Sequence, residues 1–354
     1  MAENQIDKKR MQEFARRLFA HYTSGMITLM VAVGHQTGLF EAAAKGPGTS
    51  DELAERARLN ERYVREWLGS MVTGGIMEYE AATRRYSLPA EHAVCLTGTS
   101  SRNLASNSQM LVMLAKRLPA VVECFRGGGG VPYSEFRPDF TEYMDASWRL
   151  IYDGLLLKGF LPLVEGLTER LSAGIRVADI GCGTGHAINI MAKEFPKSHF
   201  VGYDIAGDAI ERARAEARAM GLANARFEVA DVSHLAADNK FDLVTSFDSI
   251  HDQRDPSAVL HGAAAALAPD GVYLMVEPRA SSNLEENIQN PFAPWMYGVS
   301  VLHCMTVSLA VGGVGLGTAW GEQTARRFLA EAGFSSVEAV PAPGPQNTIF
   351  VCRH

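Results

Sequence analysis

The stretch Val177-Ala-Asp-Ile-Gly-Cys-Gly-Thr-Gly-His186 constrains this chain more than any other. A β-type run, Ile175 to Ile180, carries an acid near its end and then breaks into Gly181, Gly183 and Gly185. Such glycines permit a tight turn and a close approach of backbone to ligand. A helix-forming run, Ala187 to Phe195, follows. Strand, glycine loop and helix make the opening unit of a nucleotide-binding α/β sheet, with the ligand expected outside the carboxyl ends of the strands.

The loop does not have the G-x-G-x-x-G spacing that cradles a dinucleotide pyrophosphate. It reads G-x-G-x-G, with Asp179 two residues before the first glycine. Three later apolar runs also end in acids: Phe200 to Asp204, Phe227 to Asp231, and Phe241 to Asp248. One acid at a strand end is ordinary, whereas four on the first four predicted strands form a pattern. This pattern resembles motif I and the following strands of the class I S-adenosylmethionine (SAM) methyltransferases. The resemblance implies SAM as cofactor rather than NAD. It places Asp179, Gly181, Cys182, Gly183 and Gly185 around the amino-acid end of the sulfonium ligand. Asp204, followed by Ile205, is placed at the ribose, where an ionised carboxylate can accept from both hydroxyls. Asp231 and Val232 are placed at the adenine, and Phe247 and Asp248 beside the methionine end and the acceptor. Cys182 reads as a small residue that fits the loop.

At 354 residues the chain is long enough for roughly two domains. With 47% hydrophobic and 21% charged residues, the composition is that of a soluble globular protein. A net charge of -7 gives no global attraction to nucleic acid or an anionic membrane. Five cysteines without a C-x-x-C pair argue against a disulfide framework and a zinc site, so no metal is expected. Asp7-Lys-Lys-Arg10 leads into an amphipathic segment rather than a signal peptide, and no apolar run could span a bilayer. A cytoplasmic location is the expectation.

Phe14, Leu18, Tyr22, Met26, Leu29, Met30 and Val33 recur at helical spacing and predict a helix from about Met11 to Leu39. Met26 to Val33 is apolar on nearly every side, which suits either an internal core helix or an interchain contact. Thr49-Ser-Asp-Glu-Leu53 is a helix start, with Thr49 or Ser50 as cap. A second helix follows the break at Leu59-Asn60, with Tyr63, Trp67, Leu68 and Met71 inward, and ends at Gly74-Gly75. Ile76 to Tyr79 and Tyr86 to Leu88 read as a hairpin, completing a winged helix. Such modules often read DNA through a basic face. Residues 1–100 hold twelve Lys+Arg and twelve Asp+Glu, and Arg62 and Arg65 sit among Glu61 and Glu66. Scaffolding and dimerisation fit that balance better. In layout the chain resembles the winged-helix O-methyltransferases of plants and bacteria, and most of all an actinobacterial and mycobacterial group of winged-helix class I methyltransferases.

The region from Thr97 to about Leu171 predicts mostly helix, interrupted by Arg126-Gly-Gly-Gly-Gly-Val-Pro-Tyr133. That segment is either a plain connector or a mobile lid carrying Tyr133. Ser249-Ile-His-Asp-Gln-Arg-Asp255 resembles the O-methyltransferase segment His-Asp-Trp-x-Asp, whose His is the general base. The match gives His251 that role and departs at Gln253, where the family has Trp. A neutral hydroxyl is a poor nucleophile, and a His near neutral pKa can take its proton. Glu277, ending the fifth strand Gly271 to Glu277, is the acid that could orient the ring. The insertion Arg279 to Gly321 is rich in large side chains, with a cover helix expected from Trp295 to Ala310. Tyr133, Trp148, Phe292, Trp295 and Met296 are the candidate acceptor contacts. A helix from Gln323 to Ala332 and strands Ser336 to Val340 and Gln346 to Cys352 complete the expectation. The last strand should be antiparallel in a seven-stranded sheet.

The expected fold is therefore α/β, with a helical winged-helix dimerisation and cover domain over residues 1–165. A Rossmann-like, SAM-binding methyltransferase domain follows over 166–354. The expected function is methyl transfer from SAM to a small molecule, at a hydroxyl oxygen, by a homodimer without nucleic acid or membrane partners. The alternative is a SAM-sensing or DNA-binding regulator without turnover.

Overall fold

The structure is a computed structural model that describes residues 6–100, 102–234, 240–344 and 346–354. Packing divides the chain into two compact units, Met1–Val112 and Met113–His354.

The first unit opens on a 30-residue helix, Lys8–Thr37. Asp7 caps it by accepting from the Lys9 and Arg10 N–H groups, and Gly38 closes it at φ 71°. Helices Leu39–Ala44, Ser50–Ala57 and Glu61–Thr73 follow. Thr49 and Glu52 form a reciprocal capping box, which satisfies two N–H groups that the helix start would otherwise leave open. Strands β1 (Glu78–Glu80) and β2 (Arg85–Ser87) pair antiparallel as the wing. Phe40, Leu53, Trp67, Leu68 and Met71 build the core, and the Trp67 indole N–H donates to Met30 O at 2.8 Å. The helix through residue 63 turns differently from the sequence expectation. Tyr63 is 81% exposed and its neighbour Val64 is buried instead. The stripe Met11, Phe14, Leu18, Tyr22, Met26, Leu29 and Val33 lies exposed along the first helix.

The second unit begins with helices that lead into the sheet: Leu118–Gly127, Asp139–Ile151, a π-helical run Tyr152–Phe160, and Leu167–Ala173. Its strands are β3 (Arg176–Ile180), β4 (His199–Asp204), β5 (Ala225–Val229), β6 (Phe241–Phe247), β7 (Leu267–Pro278), β8 (Ser336–Pro341) and β9 (Asn347–Arg353). They form one seven-stranded sheet in the order β5-β4-β3-β6-β7-β9-β8. β3 to β7 pair parallel, and β9 inserts antiparallel between β7 and β8. Parallel strands covered on both faces read as continuous apolar runs, which is why these segments lack clean alternation. Val177, Leu243 and Leu274 pack one face against Ile188, Met191 and Ile210. Ala178, Val244 and Tyr273 pack the other against Val259, Leu260 and Leu329.

Several boundaries differ from expectation, among them three in the second unit. β7 starts at Leu267, four residues early, with a register shift against Phe241 and Leu243. β5 stops at Val229, so Asp231 lies beyond its end. The cover helix is three pieces, Ala293–Val299, a π turn Ser300–Cys304, and Met305–Ala310. The glycine segment is also not uniform. Gly128 and Gly129 have positive φ and open space around them, whereas Gly130 lies against the Met305–Ala310 helix, where a Cβ would stand 1.9 Å from Thr306 O. Val131 N–H donates to Thr306 Oγ1 at 2.8 Å, pinning that end of the segment.

Candidate active site

The glycine loop turns back at the carboxyl end of β3. The N–H groups of Gly181 and Cys182 both donate to Tyr203 O, at 2.9 and 3.0 Å, which ties the loop to β4. Gly185 is required by contact: a Cβ there would meet the Phe227 ring at 2.4 Å and Ala213 at 2.6 Å. Gly183 is required by conformation, at φ 53°, and a Cβ there would meet nothing. Its N–H donates to Asp204 Oδ2 at 2.8 Å, and Ala206 N–H donates to Asp204 Oδ1 at 2.7 Å. Burial pushes the Asp204 carboxyl up, against these backbone bonds that stabilise its charge. Cys182 sits over Gly202 of β4, where any Cβ would collide with its sulfur.

Gly181, Cys182, Gly183, Asp204, Phe247, Tyr133 and Trp148, all named from sequence, line one cleft. Met144, Asp145, Arg149, Tyr152, Thr184 and His186 line it with them. Asp179 is buried behind the loop, accepting from Thr245 Oγ1 at 2.7 Å, and burial pushes its carboxyl up to about 7. Ile205 is exposed, Val232 is buried, and Asp231 is exposed and accepts from the Ser233 hydroxyl at 2.6 Å. Phe292, Trp295 and Met296 are on or beside the helix Ala293–Val299: Phe292 exposed, Trp295 half-buried, Met296 buried. None of these three lines the cleft.

Sequence reasoning missed an ionic network at the cleft wall. Arg149 donates to Glu216 Oε1 at 2.6 Å and to Asp145 Oδ1 at 3.0 Å. His186 bridges Glu216 Oε1 at 2.9 Å and Asp153 Oδ1 at 3.0 Å. Burial alone would lower the His186 pKa, but its bonds to Glu216 and Asp153 outweigh it and the pKa rises. Burial would likewise raise Glu216, but His186, Arg149 and Asn189 together hold it down at about 2. The i, i+4 pair Asp145 and Arg149 was the available signal.

At the end of β6, Asp248 sits in the left-handed region at φ 56°. Burial pushes its carboxyl up to about 6, and its Oδ1 is buried with no hydrogen-bond partner among the described residues. His251 is buried, and its Nδ1 lies 2.6 Å from Glu277 Oε2. Glu277 also accepts from Ile250 N–H at 2.9 Å and from the Trp320 indole N–H at 3.1 Å. Three donors thus fix the acid that fixes the ring. His251 Nε2 faces Asp252 Oδ1 at 3.2 Å. Burial alone would lower the His251 pKa, but the Glu277 and Asp252 carboxylates outweigh it and raise it well above the ordinary value. The π turn brings His303 and Cys304 to the same place. His303 stacks on Phe140 at 3.7 Å, with Phe136 and Tyr133 edge-on, and burial pushes its pKa down to about 4.

The strand order 5-4-3-6-7-9-8, the glycine loop and the acids at strand ends now stand together. Residues 171–333 match the family model of a methyltransferase domain, and residues 25–98 match that of the Rv2258c-like winged HTH domain. The chain has the architecture of a winged-helix class I methyltransferase. Among solved structures, a Nostoc punctiforme protein whose O-methyltransferase assignment is provisional superimposes with a TM-score of 0.75 at 20% identity, over 96% of this chain and 98% of that one. Human N-acetylserotonin methyltransferase, solved in complex with SAM, gives 0.67 at 16% identity over 100% of this chain and 99% of its own. The malonyl-[acyl-carrier protein] O-methyltransferase of Bacillus cereus is 32% identical over 114 residues, which is 32% of this chain and 41% of that protein. The chain thus spans about two fifths of that curated relative.

Proposed function

We propose that this protein transfers a methyl group from SAM to the hydroxyl oxygen of a small molecule. The observation that carries this reading is the buried His251–Glu277 pair, held at 2.6 Å beyond the end of β6 in a methyltransferase fold. SAM would supply a methyl group on a sulfonium leaving group, ready for in-line displacement. The residues fit it. Gly183 leaves open space at the loop, and Asp204 presents a carboxylate whose orientation two backbone donors fix. The unpartnered Asp248 Oδ1 suits a ligand ammonium. Asp179, Gly181, Cys182, Gly185, Ile205, Asp231, Val232 and Phe247 complete the proposed cofactor set.

His251 takes the acceptor proton at Nε2, while Glu277 holds Nδ1–H and favours the imidazolium that forms. The same carboxylates raise the ring's pKa, so turnover should rise with pH as the His251 imidazolium gives up its proton. Tyr133 and Trp148, with Phe292, Trp295 and Met296, form the proposed acceptor walls. We also propose that residues 1–165 serve dimerisation and cover, that 166–354 bind SAM, and that the protein works as a cytoplasmic homodimer. A DNA-reading role gains no support, because Arg62 and Arg65 of the Glu61–Thr73 helix pair with Glu66 and Glu61.

The test is His251→Ala with labelled SAM and a panel of phenols and other hydroxylated aromatics. General acid–base catalysis contributes roughly 100- to 10,000-fold, so turnover should fall by that much while SAM affinity holds. Glu277→Gln should lose less. Near-parental rates in His251→Ala on an acceptor of high pKa would remove the base assignment.

A further inference from the structure

We propose that His251, Asp252 and Cys304 form a binding site for a soft divalent cation of the zinc class, and that filling it stops methyl transfer. His251, Asp252 and Cys304 each offer one ligand atom, and these atoms lie within 4.8 Å of one another. Around zinc, bonds of about 2.0 Å to nitrogen and 2.3 Å to sulfur put neighbouring ligands roughly 3.3–3.8 Å apart. His251 Nε2 and Asp252 Oδ1 already stand at 3.2 Å, so a closure of about 1 Å at the sulfur suffices.

Three independent features point to a cation here. The first is unmet polar capacity: both ring nitrogens of His303 are buried without a hydrogen-bond partner among the described residues, and Asp252 Oδ1 has only the ion-pair contact with the His251 ring at 3.2 Å. Buried polar atoms in that condition cost free energy, and a metal ion removes the cost. His303 is fully buried, with its Nδ1 3.9 Å from Asp252 Oδ2, at the margin of this three-ligand cluster. The second is charge. Asp248, Asp252 and Glu277 converge on His251, and among the described residues no Lys or Arg pairs with them. The third is the outer shell. Metal-bound histidines hold their second nitrogen on a carboxylate, as His251 does on Glu277. A mixed nitrogen, oxygen and sulfur set selects zinc or cobalt over magnesium or calcium. Coordination releases the Nε2 proton of the His251 imidazolium and the Cys304 thiol proton to solvent, and takes up the Nε2 lone pair. The binding claim stands alone, and the inhibition rests on the base role proposed above.

The test uses the purified full chain, stripped with chelator and dialysed against Zn²⁺ or Co²⁺. One equivalent per chain is expected, with a thiolate-to-cobalt charge-transfer band that Cys304→Ser abolishes. Glu277→Gln should weaken binding about 10- to 100-fold through the outer shell. Failure of the parent to bind either ion at micromolar concentration, or a cobalt complex without the thiolate band, overturns the site without any variant having to fold. Full turnover of the zinc-loaded protein overturns the inhibition alone. Loss of the base role through His251→Ala leaves the cobalt spectrum of the parent as an undisturbed measure of the site.

Discussion

At the residue scale, Asp204 is the most exacting test of the cofactor site. It accepts two backbone N–H bonds, so its removal disturbs both the loop and the proposed ribose contact. Hydrogen bonds to a charged group are worth about 1.5–3 kcal/mol. Asp204→Ala should therefore weaken SAM about 10- to 100-fold by calorimetry in a folded protein. Unchanged affinity would remove the assignment. A second prediction concerns Glu216. Its folded pKa, about 2, is depressed from the ordinary 4.5, so its contribution is full above 4.5 and vanishes as pH falls through 2. His186 is raised, so its contribution is full below 6.5 and is lost as pH rises through the folded value. The Tm gap between parent and Glu216→Gln should be widest between these windows and close toward pH 2. A gap that stays constant down to pH 2 would contradict the network. The acids at strand ends were legible because a strand's carboxyl end follows from its apolar run alone. Glu216 was not legible, because its partner Arg149 lies 67 residues away and only the packing of two helices joins them. His303 and Cys304 were equally hidden, since a metal-type cluster across β6 and the insertion has no sequence spacing.

At the element scale, the glycine segment resolves into parts with different duties. Gly130 touches the backbone of the Met305–Ala310 helix, so Gly130→Ala must push that helix away. Overpacking of this kind costs about 1–3 kcal/mol, and a lowered denaturation midpoint should report it. An unchanged midpoint would show that the contact yields freely. Element identities were readable wherever local chemistry decides them, as with the Thr49 and Glu52 capping box or the glycine loop. Facing was less so. Val64, Trp67, Leu68 and Met71 make the inward side of their helix, and Tyr63 stands one position round from it. Spacing alone admits both. The π turn Ser300–Cys304 was also unreadable, because a single wider turn leaves no mark on an apolar sequence.

At the scale of the whole molecule, the exposed stripe from Met11 to Val33 asks for a partner. Phe19, on the same helix, is 70% exposed, and large apolar patches on monomers are uncommon. Under the proposed homodimer, light scattering at micromolar concentration should give twice the chain mass. Phe14→Asp with Phe19→Asp should shift it toward the monomer, and a parent that already runs as a monomer would refute the assembly. The sheet imposes an order of events as well. Among the described residues β8 pairs only with β9, and β9 fills the gap beside β7, yet β9 is made after both. During synthesis the edge of β7 therefore stays open, and β8 has nothing to join, until residues 347–353 have left the ribosome. An open edge of that kind recruits foreign strands. The interval most exposed to aggregation is thus the one before β9 emerges, and a chain stalled after Ala342 would keep that edge open to chaperones.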